Sequence, residues 1–249
     1  MKRNQFFIAL SLLACTLLSC QNEKKQQSSI ANKSNMEKND TILKPFVAEN
    51  LFWIREPQKY TITDSLITIV SEPHTDLWQR TYYGFSNDNA PVLQMKTSNM
   101  FFSFTVKTSF NSSALFDQCG IAIYLDSDNW MKASIEYENE EYQRLGSVVT
   151  NNGYSDWATH DIPSSIKEMW YRLSRRGSDY YIETSLDGTT FHQMRTFHLD
   201  KGDGEISFGI YAASPVDHSF TARFSNMKIE NCKWKAWSSH ETGFSQTTK

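Results

Sequence analysis

The chain has 249 residues, 28 acidic against 25 basic for a net charge of −3, with 39% hydrophobic and 14% aromatic residues. That composition excludes a disordered or collagenous chain, and the slight acidity argues against the concentrated basic face of a nucleic-acid binder. Four cysteines are too few for a disulfide scaffold, so an apolar core must hold the fold, and the length suffices for one.

The chain opens on Lys2 and Arg3, followed by an almost uninterrupted apolar run over residues 6–18. This run is shorter than the roughly 20 residues that span a bilayer, and it suits the core of a secretory signal peptide over residues 1–19. It ends in Leu17-Leu18-Ser19-Cys20, which resembles the bacterial lipobox, and the resemblance implies lipidation of Cys20 and anchoring at the cell envelope; the Gln21-Asn22-Glu23 that follows is compatible with export to an outer membrane. Residues 20–49 are rich in Gln, Asn, Lys, Ser and Glu, with Phe46 the only aromatic, and read as a lipidated cysteine and a disordered tether.

From residue 50 to 232 apolar residues alternate with a period of two, the pattern of half-buried strands. Strand-like runs cover 61–70, 102–106, 121–125, 130–137, 143–150, 170–176, 180–185, 192–199, 205–212 and 220–229. Asp187-Gly188 reads as a type I′ hairpin turn, because glycine accepts a positive φ, and Asp126-Ser127-Asp128-Asn129 and Lys201-Gly202-Asp203-Gly204 read as further turns. A short helix is expected over residues 163–169, started by Pro163 and capped by Ser164 or Ser165. Cys119 and Cys232 lie beside apolar strand patterns and read as free buried thiols, although an envelope location permits a disulfide. Residues 233–249 form a polar tail whose Trp234 and Trp237 are candidates to fold back. The predicted fold is all-β, a two-sheet antiparallel sandwich.

Five blocks then carry a family resemblance: Asp76-Leu77-Trp78-Gln79-Arg80-Thr81-Tyr82-Tyr83-Gly84-Phe85, Phe116-Asp117-Gln118-Cys119-Gly120, Trp130-Met131-Lys132-Ala133-Ser134-Ile135-Glu136, Ser147-Val148-Val149-Thr150 and Ser155-Asp156-Trp157. In this order they resemble an uncharacterised, mostly bacterial family of concanavalin-A-like sandwich domains that also includes the yeast "regulation of enolase" protein. The resemblance implies a jelly roll, with Cys119 standing where the family usually has Ala. It implies no settled activity, since fold alone does not fix function.

On the strand around Met131, the face opposite the core residues displays Trp130, Lys132, Ser134 and Glu136 at steps of about 6.5–7 Å. Trp78, Arg80 and Tyr82 form a similar row on their own strand, and Asp117, Gln118, Asp156 and Trp157 add polar groups and an aromatic. Aromatic faces stack on the C–H faces of sugars, and charged groups bond their hydroxyls. The candidate ligand-binding residues are therefore Trp78, Arg80, Asp117, Gln118, Trp130, Lys132, Glu136, Asp156 and Trp157, converging on one groove. The expected partner is a glycan, with membrane contact through the lipid alone.

Alternatives are a protein-interaction face, or a polysaccharide-active enzyme with Glu136 as acid or base. Glu136, Glu138 and Glu141 resemble the E-x-D-x-x-E strand motif of glucanases of this architecture, with Glu138 in place of Asp. A retaining mechanism would need two carboxyls about 5–5.5 Å apart. The six histidines show no metal-ligand spacing, and neither a Gly-rich phosphate loop nor a Gly-x-Ser-x-Gly elbow is present, so no metal or cofactor is expected.

Overall fold

The computed structural model describes residues 43–237. The signal-peptide run, Cys20, most of the tether and residues 238–249 lie outside the described residues. A short 3₁₀ turn (Ala48–Asn50) precedes the strands β1 (Phe52–Ile54), β2 (Tyr60–Ile62), β3 (Leu66–Val70), β4 (Leu77–Gln79), β5 (Ser86–Asp88), β6 (Val92–Thr97), β7 (Phe101–Phe110) and β8 (Gln118–Asp126). They continue as β9 (Asn129–Tyr137), β10 (Tyr142–Asn151), β11 (Tyr154–Pro163), β12 (Glu168–Arg176), β13 (Asp179–Ser185), β14 (His192–His198), β15 (Ile206–Ala213) and β16 (Thr221–Asn231).

Two seven-stranded antiparallel sheets form the expected sandwich. The first has the order β1-β6-β15-β8-β9-β10-β11, the second β14-β13-β12-β7-β16-β3-β2. The period-two pattern places Met131, Ala133 and Ile135 of β9 opposite residues such as Phe104, Tyr171 and Phe224 of the second sheet, in one apolar core. The first sheet is buried on its other face as well. A two-stranded ribbon, β4-β5, lies there, and Leu77, Trp78, Ala122, Trp130, Val148 and Tyr211 form a second, smaller core beneath it. This covering ribbon positions the site.

The structure corrects several local expectations. No helix forms over residues 163–169. Strand β11 runs to Pro163, and the Ser164 hydroxyl donates to the Glu140 carbonyl while its N–H donates to Glu141 at 3.2 Å, so Ser164 is held by the β9–β10 turn rather than capping a helix. The run over residues 61–70 is broken into β2 and β3 by Thr63, whose Oγ1 accepts from the Leu66 N–H at 3.0 Å. The Asp187-Gly188 hairpin is real but is not a two-residue I′ turn. Gly188 has φ +72° whereas Asp187 does not share the left-handed region. The Asp187 carboxylate instead accepts the N–H groups of Thr189 and Thr190, at 2.7 Å each, within a longer connection. These bonds hold its carboxyl well below the usual carboxylate range.

Residues 43–49, assigned above to the tether, are described, and Phe46 is buried, with its ring 4.8 Å from that of Phe104 and 6.3 Å from that of Phe208. One aromatic in a polar stretch was enough to join the core. At the other end Trp234 stacks on Tyr181 at 5.4 Å, whereas Trp237 is exposed. Cys119 lies in the core, and Cys232 is half-buried with its Sγ 3.4 Å from the Arg175 carbonyl.

Candidate functional site

Strand β9 places Trp130, Lys132, Ser134 and Glu136 on the outer face of the first sheet, as the alternation predicts. Register sets Gln118 of β8 opposite Glu136, and Val148 of β10 opposite Lys132. Above this floor the ribbon and neighbouring loops leave a pocket of about 370 Å³. Lys132, Glu136, Gln118 and Val148 meet Asp76, Trp78, Tyr83, Phe85 and Asn87 from the ribbon, together with Phe116, Trp157, Pro215 and Val216.

Lys132 is the centre. Its side chain is 3% exposed, and its ammonium lies 2.6 Å from Gln118 Oε1, 3.2 Å from Asp76 Oδ1 and 3.6 Å from Glu136 Oε1. Gln118 Nε2 donates in turn to Asp76 Oδ1 at 3.3 Å, and the Tyr211 hydroxyl lies 3.0 Å from Gln118 Oε1 and 2.7 Å from Ser134 Oγ. The network extends from buried Ser134 to two carboxylates at the pocket, with one cation between them. Burial pushes the Glu136 carboxyl above its ordinary value; Lys132 pulls it back and Asp76 pushes it further up. Burial likewise holds the Tyr211 phenol well above its usual range, helped by the negative charge of Glu136, so it remains a neutral hydroxyl. The indole N–H of Trp78, on the pocket wall, is buried without a hydrogen-bond partner.

Of the expected residues, Trp78, Gln118, Lys132, Glu136 and Trp157 meet here. Four do not. Trp130 shares the right face but is fully buried under the ribbon, with Nε1 donating to the Ser127 carbonyl at 3.2 Å. Asp117 is also fully buried. It accepts the N–H groups of Ser113 and Ala114 at 3.0 Å each and the Ser214 hydroxyl at 2.8 Å, and lies 3.0 Å from His218 Nδ1. Asp117 thus ties down the loops carrying Phe116, Pro215 and Val216 without touching the pocket. Arg80 pairs with Asp128 at 3.7 Å beside the pocket rather than in it. Asp156 points to the opposite flank, 3.0 Å from Arg195.

The row Trp78, Arg80, Tyr82 does not exist, because β4 ends at Gln79 and both Arg80 (φ 56°) and Tyr82 (φ 63°) are left-handed. That turn changes the parity and brings Tyr83 and Phe85 to the pocket. The acidic run does not gather at the pocket: Glu138 pairs with Arg144 at 2.7 Å and Glu141 lies in an exposed turn, so Glu136 is the one carboxylate of that run there, beside Asp76 from the ribbon. Among the described residues no group of His, Cys, Asp and Glu is arranged to hold a metal ion.

A family model described as "Protein of unknown function (DUF1349)" matches residues 53–232. The chain belongs to that family. Regulation of enolase protein 1 of Saccharomyces cerevisiae is 28% identical over 177 residues, which cover 71% of this chain and 87% of the yeast protein. The crystal structure of a functionally unknown S. cerevisiae protein matches with a TM-score of 0.68 at 26% identity, over 74% of this chain and 98% of that one. The GH43 protein BlXynB of Bacillus licheniformis matches with a TM-score of 0.59 at 15% identity, over 76% of this chain but 38% of the enzyme. Xylan beta-1,4-xylosidase of Bacillus halodurans C-125 matches at 0.55 and 12%, over 77% and 41%. These last two are likenesses of fold.

Within the DUF1349 sandwich, sequence reasoning missed Asp76, Tyr83, Phe85 and Phe116. All four stand inside the blocks that carry the family resemblance, and that was the available signal. A straight strand through the first block sets Arg80 beside Trp78, where the turn instead brings Tyr83 and Phe85.

Proposed function

We propose that the pocket binds a carbohydrate, gripping the hydroxyls of one sugar ring with Asp76, Lys132, Glu136 and Gln118 and covering its C–H faces with Trp78, Tyr83, Phe85 and Trp157. The observation that carries this reading is the hydrogen-bonded Asp76–Lys132–Glu136 cluster in a pocket with aromatic walls. Its charges hold one another in place before any ligand arrives, so little ordering is lost on binding. Two carboxylates against one ammonium favour a neutral or cationic sugar over a uronic acid. The test is calorimetry of the full-length chain against neutral, amino and acidic glycans. Binding of neutral or amino sugars that is weakened at least tenfold in Glu136→Gln or Trp157→Ala supports the reading, and absence of binding to every glycan refutes it.

A second reading is favoured by the raised Glu136 carboxyl, which is the property of a general acid. It makes the protein a polysaccharide-active enzyme, and product release lost in Glu136→Gln would support it. Anchoring to a bacterial envelope through lipid on Cys20 belongs to the same proposal and rests on the lipobox resemblance; loss of lipid labelling in Cys20→Ala tests it.

A further inference from the structure

The aromatic wall does not stop at the pocket. Trp157 and Trp78 lie 6.4 Å apart, Trp78 and Tyr83 5.5 Å, Tyr83 and Phe85 5.7 Å in a stacked pair, and Tyr83 and Tyr82 5.0 Å edge to face. The series begins at buried Trp78 and ends at Tyr82, which is 94% exposed, with Phe85 at 47% and Tyr83 at 55% between. Tyr82 therefore contributes little burial to folding.

The backbone that presents it is nevertheless built with care. Arg80, Tyr82 and Gly84 all have positive φ, an unfavourable region for arginine and tyrosine. The turn is held by Arg80 N–H to the Phe85 carbonyl at 2.8 Å and Gly84 N–H to the Arg80 carbonyl at 2.7 Å. Arg80 braces it from outside. Its guanidinium reaches Asp128 at 3.7 Å, lies 5.7 Å from the centre of the exposed Tyr154 ring, and sits where a Cβ on Gly153 would come within 2.3 Å of it. A strained turn, fixed at both ends, displays rings to water.

Resting on the carbohydrate reading above, we infer that the ligand is an oligosaccharide. One unit sits in the pocket among Asp76, Lys132 and Glu136, and the units that follow leave across Tyr83 and stack on Tyr82. The volume of about 370 Å³ is at the small end for ligand sites, so a longer chain must emerge, and the aromatic rim offers the path. Stacking on flat rings suits successive pyranose faces and needs no further charged group.

The test is calorimetry of the full-length chain and its Tyr82→Ala variant with unbranched β-1,4-linked xylose and glucose series, from monosaccharide to hexasaccharide. Because Tyr82 is almost wholly exposed, the variant keeps the fold, which circular dichroism checks. Affinity is expected to rise about tenfold from one unit to three and then level off, and Tyr82→Ala should remove that gain while leaving monosaccharide affinity unchanged. Equal affinity for all lengths, or a chain-length gain that persists in Tyr82→Ala, overturns the inference and leaves the carbohydrate reading standing. No binding in either series overturns the inference, and the carbohydrate reading falls with it only when the amino and acidic glycans named above also fail to bind. Self-association that disappears in Tyr82→Ala would assign the rings to a second copy of the chain and overturn the inference alone.

Discussion

Replacing Lys132 by methionine tests the site at its centre. Methionine matches much of the aliphatic stem but removes the charge and the N–H donors to Gln118 and Asp76, leaving Asp76 and Glu136 without their cation under the ribbon. At an effective dielectric of about 20, unit charges separated by the observed 3.2 and 3.6 Å attract by about 5 kcal/mol each before desolvation is counted. Most of that is offset by the cost of burying the ions, and stripping one partner from such a cluster costs about 3–5 kcal/mol. The loss should depend on pH. Glu136 already has its carboxyl raised by burial, and without the pull of Lys132 it rises further. A carboxyl whose folded pKa lies above its unfolded value, about 4.3, binds the extra proton in the folded state. Its favourable contribution is whole below that value and disappears as pH climbs through the folded pKa. The deficit of Lys132→Met should therefore be largest near neutral pH and shrink towards about pH 4. In a Glu136→Gln background, where one of the two negative charges is gone, the deficit should be smaller by about 1 kcal/mol or more. Urea unfolding followed by circular dichroism at several pH values measures all three. A cost below about 1 kcal/mol at neutral pH, or one that does not change with pH, would mean that the three groups do not share one buried network.

Two further predictions concern the frame. Phe46→Ala should cost about 3–5 kcal/mol in the same unfolding assay, because the ring packs between Phe104 and Phe208; a change within about 0.5 kcal/mol would return residues 43–49 to the tether. Burial holds the Cys119 thiol far above its ordinary range, so peptide mapping after alkylation of the native protein at mildly alkaline pH should find Cys119 unmodified, and unfolding should expose it; native labelling would contradict its place in β8.

The sandwich was legible because nearly every long strand has one face on the common core, which writes a period of two into residues such as 102, 104 and 106. Strand β11 was not legible. Its sequence, with Asp156, His160 and Asp161, has poor strand propensity, and only ten-residue pairing with β10 makes it one. The site was half legible for a related reason. Alternation shows that Trp130, Lys132 and Glu136 share a face, but it cannot show that a ribbon from elsewhere in the chain covers Trp130 and leaves the other two at a pocket. Nor does it register a left-handed residue, so it continues the row of Trp78 through Arg80 and Tyr82, whereas Tyr83 and Phe85 line the pocket. Asp117 looked like a ligand group because an acid in a strand-rich stretch invites that reading, whereas its oxygens are occupied by backbone amides, Ser214 and His218.

Asp156, which contributes nothing to the pocket, has another consequence. It sits on β11, the outermost strand of the first sheet, and Arg195 sits on β14, the outermost strand of the second. Their 3.0 Å contact, joined by Arg195 Nη1 within 3.3 Å of the Ser147 and Asp156 carbonyls, fastens the two borders together. Unsatisfied strand borders invite adhesion between molecules, and charge placed along them is a defence against it. Neutralising this clasp should therefore reveal itself first as turbidity in concentrated solution.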